Sequence, residues 1–147
     1  MERKPHAHRL RAGRHSQAGH VYLVTAVTRQ RRPLFRSLRA ARYLIRAMQT
    51  EQQLGRAATL AFVVMPDHLH WLVELEGPAD LSAVVQAVKS VTAHRVGGPV
   101  WQDGFHDHAL RREEDLVKAA RYLVANPLRA GLVTRLGDYP HWDAIWL

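Results

Sequence analysis

The chain has no cysteine, which excludes disulfide staples, a thiolate nucleophile and a sulfur-ligated zinc site. Imidazole and oxygen are left as the available metal donors. It also lacks a long apolar run. The most hydrophobic stretch, roughly Leu60 to Met65, is far shorter than the about 20 residues needed to cross a bilayer. The N-terminus alternates Arg and His where a secretion signal needs an apolar centre. These absences predict a soluble, cytoplasmic protein with no membrane partner. Acid is scarce in the first third: residues 1–56 hold 13 Lys and Arg against Glu2 and Glu51, a local charge of +11, while the net charge of all 147 residues is +8, so the remainder carries −3. A cationic segment on a near-neutral body suits a polyanion that releases counterions on binding, which points to nucleic acid.

What is present reads as an arm followed by one domain. Residues 1–19 are polar and rich in Arg, His and Gly, the composition of a flexible arm, and residues 20–147 are long enough for a single core. His20 to Thr28 is β-branched and apolar, a first strand, closed by the basic loop Arg29-Gln30-Arg31-Arg32-Pro33. Leu38, Ala41, Leu44, Ile45 and Met48 recur at helical steps between Ser37 and Leu54, with Gly55 as a stop. Ala58 to Met65 is a second strand, and Pro66-Asp67 turns the chain into a third. A second helix follows Asp80 or Ser82 to about Arg95, with Leu81, Val84, Val85, Val88 and Val91 inward and Lys89 outward. Another short strand or two lies between Val100 and Leu110, and a third helix runs from Glu113 to Asn126, stopped by Pro127. The order predicts an α+β fold, an antiparallel sheet with helices packed on it.

The chemistry centres on His68-Leu69-His70. Side chains alternate along a strand, so the two imidazoles share one face and can grip one ion, while Leu69, Trp71, Val73 and Leu75 form the apolar face opposite. Glu74 is a further oxygen donor on the histidine face. A second pair, His106-Asp107-His108, has the same spacing and competes for the metal. On the third helix Tyr122 and Asn126 are four residues apart and share a face with Lys118, at the rim of the apolar stripe Leu116, Ala120 and Leu123. Asn126 reads equally well as a metal ligand and as the N-cap of a short helix opened by Pro127.

Five linked segments carry a resemblance. They are Tyr22-Leu23-Val24-Thr25 leading to Arg31-Arg32-Pro33-Leu34-Phe35; Val64-Met65-Pro66-Asp67-His68-Leu69-His70-Trp71-Leu72-Val73; Trp101-Gln102 with Gly104-Phe105 and Asp107-His108; Arg111-Arg112-Glu113-Glu114-Asp115-Leu116; and Tyr122-Leu123-Val124-Ala125-Asn126-Pro127-Leu128-Arg129-Ala130-Gly131-Leu132-Val133. In this order, over roughly residues 13–135, the chain resembles the single-tyrosine HUH transposases and, within them, the REP-associated tyrosine transposases. The resemblance implies a ferredoxin-like HUH endonuclease palm that cuts and rejoins single-stranded DNA at hairpins through a 5′-phosphotyrosine. It implies Tyr122 as nucleophile, His68 and His70 as metal ligands in preference to His106 and His108, and Asn126 as the polar third ligand, with Mg²⁺ or Mn²⁺ as the ion; Glu74, from its place on the strand face, is the fallback ligand. Arg9, Arg11, Arg14 and His15 match the segment that recognises DNA beside the hairpin, and Arg29, Arg31, Arg32 and Lys89 are candidates for phosphate contacts. A monomer is expected, with a dimer as the alternative among insertion-sequence relatives, and a DNA substrate would place the protein at the nucleoid. A hairpin-binding protein without catalysis and a hydrolase in which metal activates water are the competing readings.

Overall fold

Thr, Val and aromatic residues build strand β1 (Val21–Val27), and the Ser37 hydroxyl, which accepts a 3.2 Å bond from the Ala40 amide, opens helix α1 (Leu38–Gln53). Strands β2 (Ala57–Met65) and β3 (His68–Leu75) form the expected hairpin across Pro66-Asp67. Asp80 caps helix α2 (Leu81–Val96) by accepting from the Ala83 amide at 2.8 Å, and Gly97 ends it in the left-handed conformation, at φ 94°. Strand β4 (His106–Leu110), helix α3 (Glu113–Val124), a single turn α4 (Asn126–Arg129) and strand β5 (Trp142–Ala144) complete the chain. The computed structural model describes residues 19–145, so nearly all of the expected arm lies outside the described residues.

The sheet order is β4-β1-β3-β2-β5, and every neighbouring pair is antiparallel. The β-α-β-β-α-β core with strands ordered 4-1-3-2 is the ferredoxin-like arrangement, so the expected α+β class holds. β3 is central and belongs to two cores at once. Leu69, Trp71, Val73 and Leu75 pack with Leu44, Met48, Val84 and Val88 of α1 and α2. Leu72 packs on the opposite face with Leu116, Ala120, Leu123 and Val124 of α3. Alternation then assigns His68, His70 and Glu74 to the α3 side.

Two expectations for α2 are reversed. Lys89 is buried, with its ammonium donating to the carbonyls of Gln102 at 2.9 Å and Gly104 at 2.7 Å, whereas Val91 is 42% exposed. Both residues flank the buried stripe, about 80–90° to either side of its centre at 100° per residue. The loop before β4 packs on the Lys89 flank and offers it carbonyls. The third helix also ends earlier than expected, at Val124, and Pro127 sits inside the next turn instead of terminating a helix. β5 gave no sequence signal, because three residues are too few to show alternation. Lys89→Met should lower stability by about 1–3 kcal/mol in urea denaturation, the cost of leaving buried carbonyls without their charged donor.

Candidate active site

His68 and His70 stand side by side on β3, their ring centres 4.7 Å apart. Each has its Nδ1 engaged. The His68 Nδ1–H donates to the Asp67 carboxylate at 2.7 Å, and His70 Nδ1 is 3.0 Å from the Thr25 hydroxyl. Register explains the second contact, since Thr25 of β1 is directly opposite His70. With both Nδ1 atoms occupied, Nε2 is the nitrogen each ring has left for a ligand, the arrangement that fixes imidazoles for metal binding. Burial, then the His68 charge, then the Arg129 charge lower the His70 pKa from its ordinary 6.5 to about 4, so at neutral pH this ring is a neutral donor.

The basic loop after β1 is clamped onto the β2–β3 turn beneath these rings. The Thr28 amide donates to the Asp67 carbonyl at 2.9 Å, the Thr28 hydroxyl is shared between the Arg32 carbonyl at 2.8 Å and the Asp67 carbonyl at 3.1 Å, and the Phe35 amide donates to the Pro66 carbonyl at 2.9 Å. Gln30 and Arg31 take positive φ, 57° and 49°, a sterically strained conformation for residues with a Cβ. From this turn the Arg31 guanidinium lies 3.1 Å from the Asp67 carboxylate. Burial raises the Asp67 pKa, but the hydrogen bond and charge of His68, followed by those of Arg31, outweigh it and hold the group below its ordinary value. Arg31, Asp67 and His68 thus form a chain that orients one ring. The sequence reading missed Asp67 and Thr25; their signals were adjacency to His68 and the register of β1, which only the fold supplies.

α3 and α4 cover the same face of the sheet. Leu123 and Val124 pack against Val63 and Met65 of β2, the residues paired with His70 and His68. Tyr122 faces out, 66% exposed, and the Arg129 guanidinium lies over its ring at 3.8 Å, a contact worth about 0.5–1 kcal/mol at an exposed site. The Arg129 charge also acts on His70, so the turn that carries Arg129 is linked electrostatically to the histidine pair. The cap reading of Asn126 fails: Ala125 is the N-cap of α4, Asn126 is its first residue, and no side-chain cap bond forms there. Its carboxamide is therefore not engaged as a cap.

The other candidates sort by position. His106 and His108 are exposed on β4, and His106 pairs with Thr25, which separates it from His70 by a whole strand, roughly 10 Å at the spacing of two strands. The two pairs face the same side but are distinct. Glu74 is four residues along β3 from His70, about 13 Å at strand rise. Among the described residues no group of three His, Cys, Asp or Glu side chains could hold a metal ion. Arg29 and Arg31 are exposed at the loop, while Arg32 is tied to the carbonyls of Pro99 at 2.6 Å and Arg29 at 3.3 Å. Lys89 is withdrawn from phosphate contact by its burial. Trp71 is core, bonded to the Thr59 hydroxyl at 2.9 Å; Trp101 and Trp142 donate to backbone carbonyls at 3.2 Å. Arg9, Arg11, Arg14 and His15 lie outside the described residues.

The family described as Transposase IS200 like matches residues 16–111. A REP-associated tyrosine transposase of Escherichia coli (strain K12) is 34% identical over 82 residues, 54% of this chain and 50% of the relative. The chain spans about half the length of the curated relatives it matches. A solved REP-associated tyrosine transposase bound to a REP hairpin superposes with a TM-score of 0.78 at 27% identity, covering 88% of this chain and 79% of that one. A crystal structure from Deinococcus radiodurans, at 17% identity and a TM-score of 0.55 over 83% of this chain and 94% of that one, shares the fold alone. No helix among the described residues is long and apolar enough to cross a membrane.

The His70 shift makes a testable statement about metal-free protein. The unfolded chain protonates this ring near pH 6.5 and the folded chain near 4. Between those values the unfolded state holds more protons, so stability falls as the pH is lowered through that window. Urea midpoints should drop more steeply for wild type than for His70→Gln between pH 6.5 and 4; parallel curves would contradict a buried, neutral His70.

Proposed function

The chain belongs to the IS200-like transposase family, and from that premise we propose that it is a single-stranded DNA endonuclease and strand transferase. Its substrate would be hairpin-forming, REP-like DNA, with Tyr122 as the nucleophile. The observation that supports the reading is that two Nδ1-anchored histidines face the side of the sheet covered by α3, the helix that carries the exposed Tyr122. The donor set fits a divalent ion: two imidazoles with Nε2 available, one held neutral by burial, and an uncapped carboxamide on the adjacent turn. His68, His70 and Asn126 would hold Mg²⁺ or Mn²⁺, which when bound supplies Lewis-acid polarisation of a phosphate oxygen.

The chain's own residues supply the remainder. Asp67 and Thr25 fix the ring orientations, and Arg31 fixes Asp67. An ordinary phenol is ionised to only about one part in a thousand at pH 7, a deficit of roughly 4 kcal/mol, so attack depends on alignment and on charge stabilisation at the phosphate. The Tyr122 oxygen forms a bond to phosphorus, the P–O3′ bond breaks, the phenolic proton is lost and the departing 3′-oxygen takes up a proton. A 5′-phosphotyrosine and a free 3′-hydroxyl result. The covalent ester conserves the phosphodiester bond energy, so a 3′-hydroxyl of another strand reverses the step and joins new ends. Arg29 and, alongside its contact with Asp67, Arg31 are proposed to meet phosphates leading to the site, and Arg9, Arg11, Arg14 and His15 are proposed to grip the DNA flanking the hairpin.

Incubation with a labelled REP-type hairpin oligonucleotide and Mg²⁺ or Mn²⁺ tests this. Wild type should form a covalent protein–DNA adduct that Tyr122→Phe abolishes; cleavage surviving in the variant would exclude tyrosine attack, and binding without cleavage under either ion would leave only a hairpin-binding protein. Asp67→Asn should weaken Mn²⁺ binding by roughly 10–100-fold with the fold intact, as expected for loss of an orienting partner; an unchanged affinity by calorimetry would remove the His68 ring from the metal site.

A further inference from the structure

Arg129 sits against the proposed nucleophile without an assigned role. Its guanidinium carbon is 3.8 Å from the centre of the Tyr122 ring, and its charge reaches His70. It is exposed, and among the described residues it has no carboxylate partner. The contact depends on the chain path. Tyr122 and Arg129 are seven residues apart, which in an unbroken helix would separate them by about 10 Å along the axis. The break at Ala125, followed by Pro127 in the first turn of α4, redirects the chain so that the guanidinium returns to the ring. A guanidinium laid on an aromatic face keeps its N–H groups in its own plane, and those donors match phosphate oxygens in pairs.

We infer that Arg129 is a phosphate-gripping residue of this site, stacked on Tyr122 and presenting its N–H groups to a non-bridging oxygen of the scissile phosphodiester. The inference rests on the reading of Tyr122 as nucleophile. As the Tyr122 oxygen bonds to phosphorus and the P–O3′ bond breaks, negative charge gathers on the non-bridging oxygens, and a cation fixed beside them stabilises that state more than the starting ester. The stack holds the phenol and the phosphate-binding group in one unit, so docking the phosphate also aligns the attack.

The test compares wild type, Arg129→Gln and Arg129→Lys, each also in the Tyr122→Phe background, which retains a ring for stacking but removes the chemistry. A fluorescent REP-type hairpin oligonucleotide with single-stranded flanks is titrated in EDTA over a range of salt, and adduct formation by the Tyr122 forms is followed in single turnover with Mn²⁺. Arg129→Gln should flatten the slope of log affinity against log salt by about 0.7, the loss of one single-strand phosphate contact. It should also slow adduct formation by about 10²–10³-fold, the loss expected for one donor to a developing oxyanion. Arg129→Lys should restore the slope but only part of the rate. A salt slope unchanged in Arg129→Gln overturns the phosphate contact, whatever happens to the rate. An adduct rate within about twofold of wild type overturns the role in attack. If wild type forms no adduct, the nucleophile reading fails and the salt slope still decides whether Arg129 grips phosphate.

Discussion

Strand β3 must satisfy two cores at once, and everything at the candidate site follows from that constraint. Its odd-numbered residues, Leu69 through Leu75, are packed under α1 and α2, so no shift of register by one residue is tolerated: it would drive His68 and His70 into an apolar core and expose Trp71. The other face is only partly closed. α3 covers Leu72 and its neighbours, while the two histidines stay half-buried beside it. The same pairing that fixes the face also fixes the neighbours, because Thr25 on β1 and Val63 on β2 are the residues opposite His70.

The electrostatics of the site follow from this partial burial. His70 is dry enough to remain neutral far below the ordinary histidine range, and His68 is held by a carboxylate whose pKa is lowered first by His68 itself and then by Arg31. Arg31 reaches that carboxylate from a turn in which Gln30 and Arg31 adopt left-handed backbone. Such strain costs of order 1–3 kcal/mol per residue, and the bonds from Thr28 and Phe35 to the β2–β3 turn offset it. The loop is therefore a brace for the two histidine rings as well as a basic surface.

Much of this was legible in the sequence, and the failures have physical causes. The hairpin, the face shared by His68 and His70, and the apolar stripe of α3 all follow from periods of 2 and 3.6, which the chain carries strongly. Lys89 and Val91 were misassigned because both flank the stripe of α2, and a helix pattern cannot show which flank a distant loop will cover. Thr25 and Arg129 were not picked out because their roles depend on strand register and on a break between α3 and α4. His106-Asp107-His108 had the same local spacing as the other pair; the sheet order is what separates them. The comparisons establish the family and the fold, and the spacing of the matched segments explains why they could be recognised in so short a chain.

The central claim is that one ion is held by the imidazoles of His68 and His70 and not by the second pair. Pulsed electron paramagnetic resonance of the Mn²⁺-loaded protein reads it directly, through coupling of the ion to ligand nitrogens. Two imidazole couplings are predicted in wild type, one in His70→Gln, and two again in His106→Gln. Loss of the couplings in His106→Gln with a wild-type signal in His70→Gln, or no imidazole coupling at all, would contradict the account.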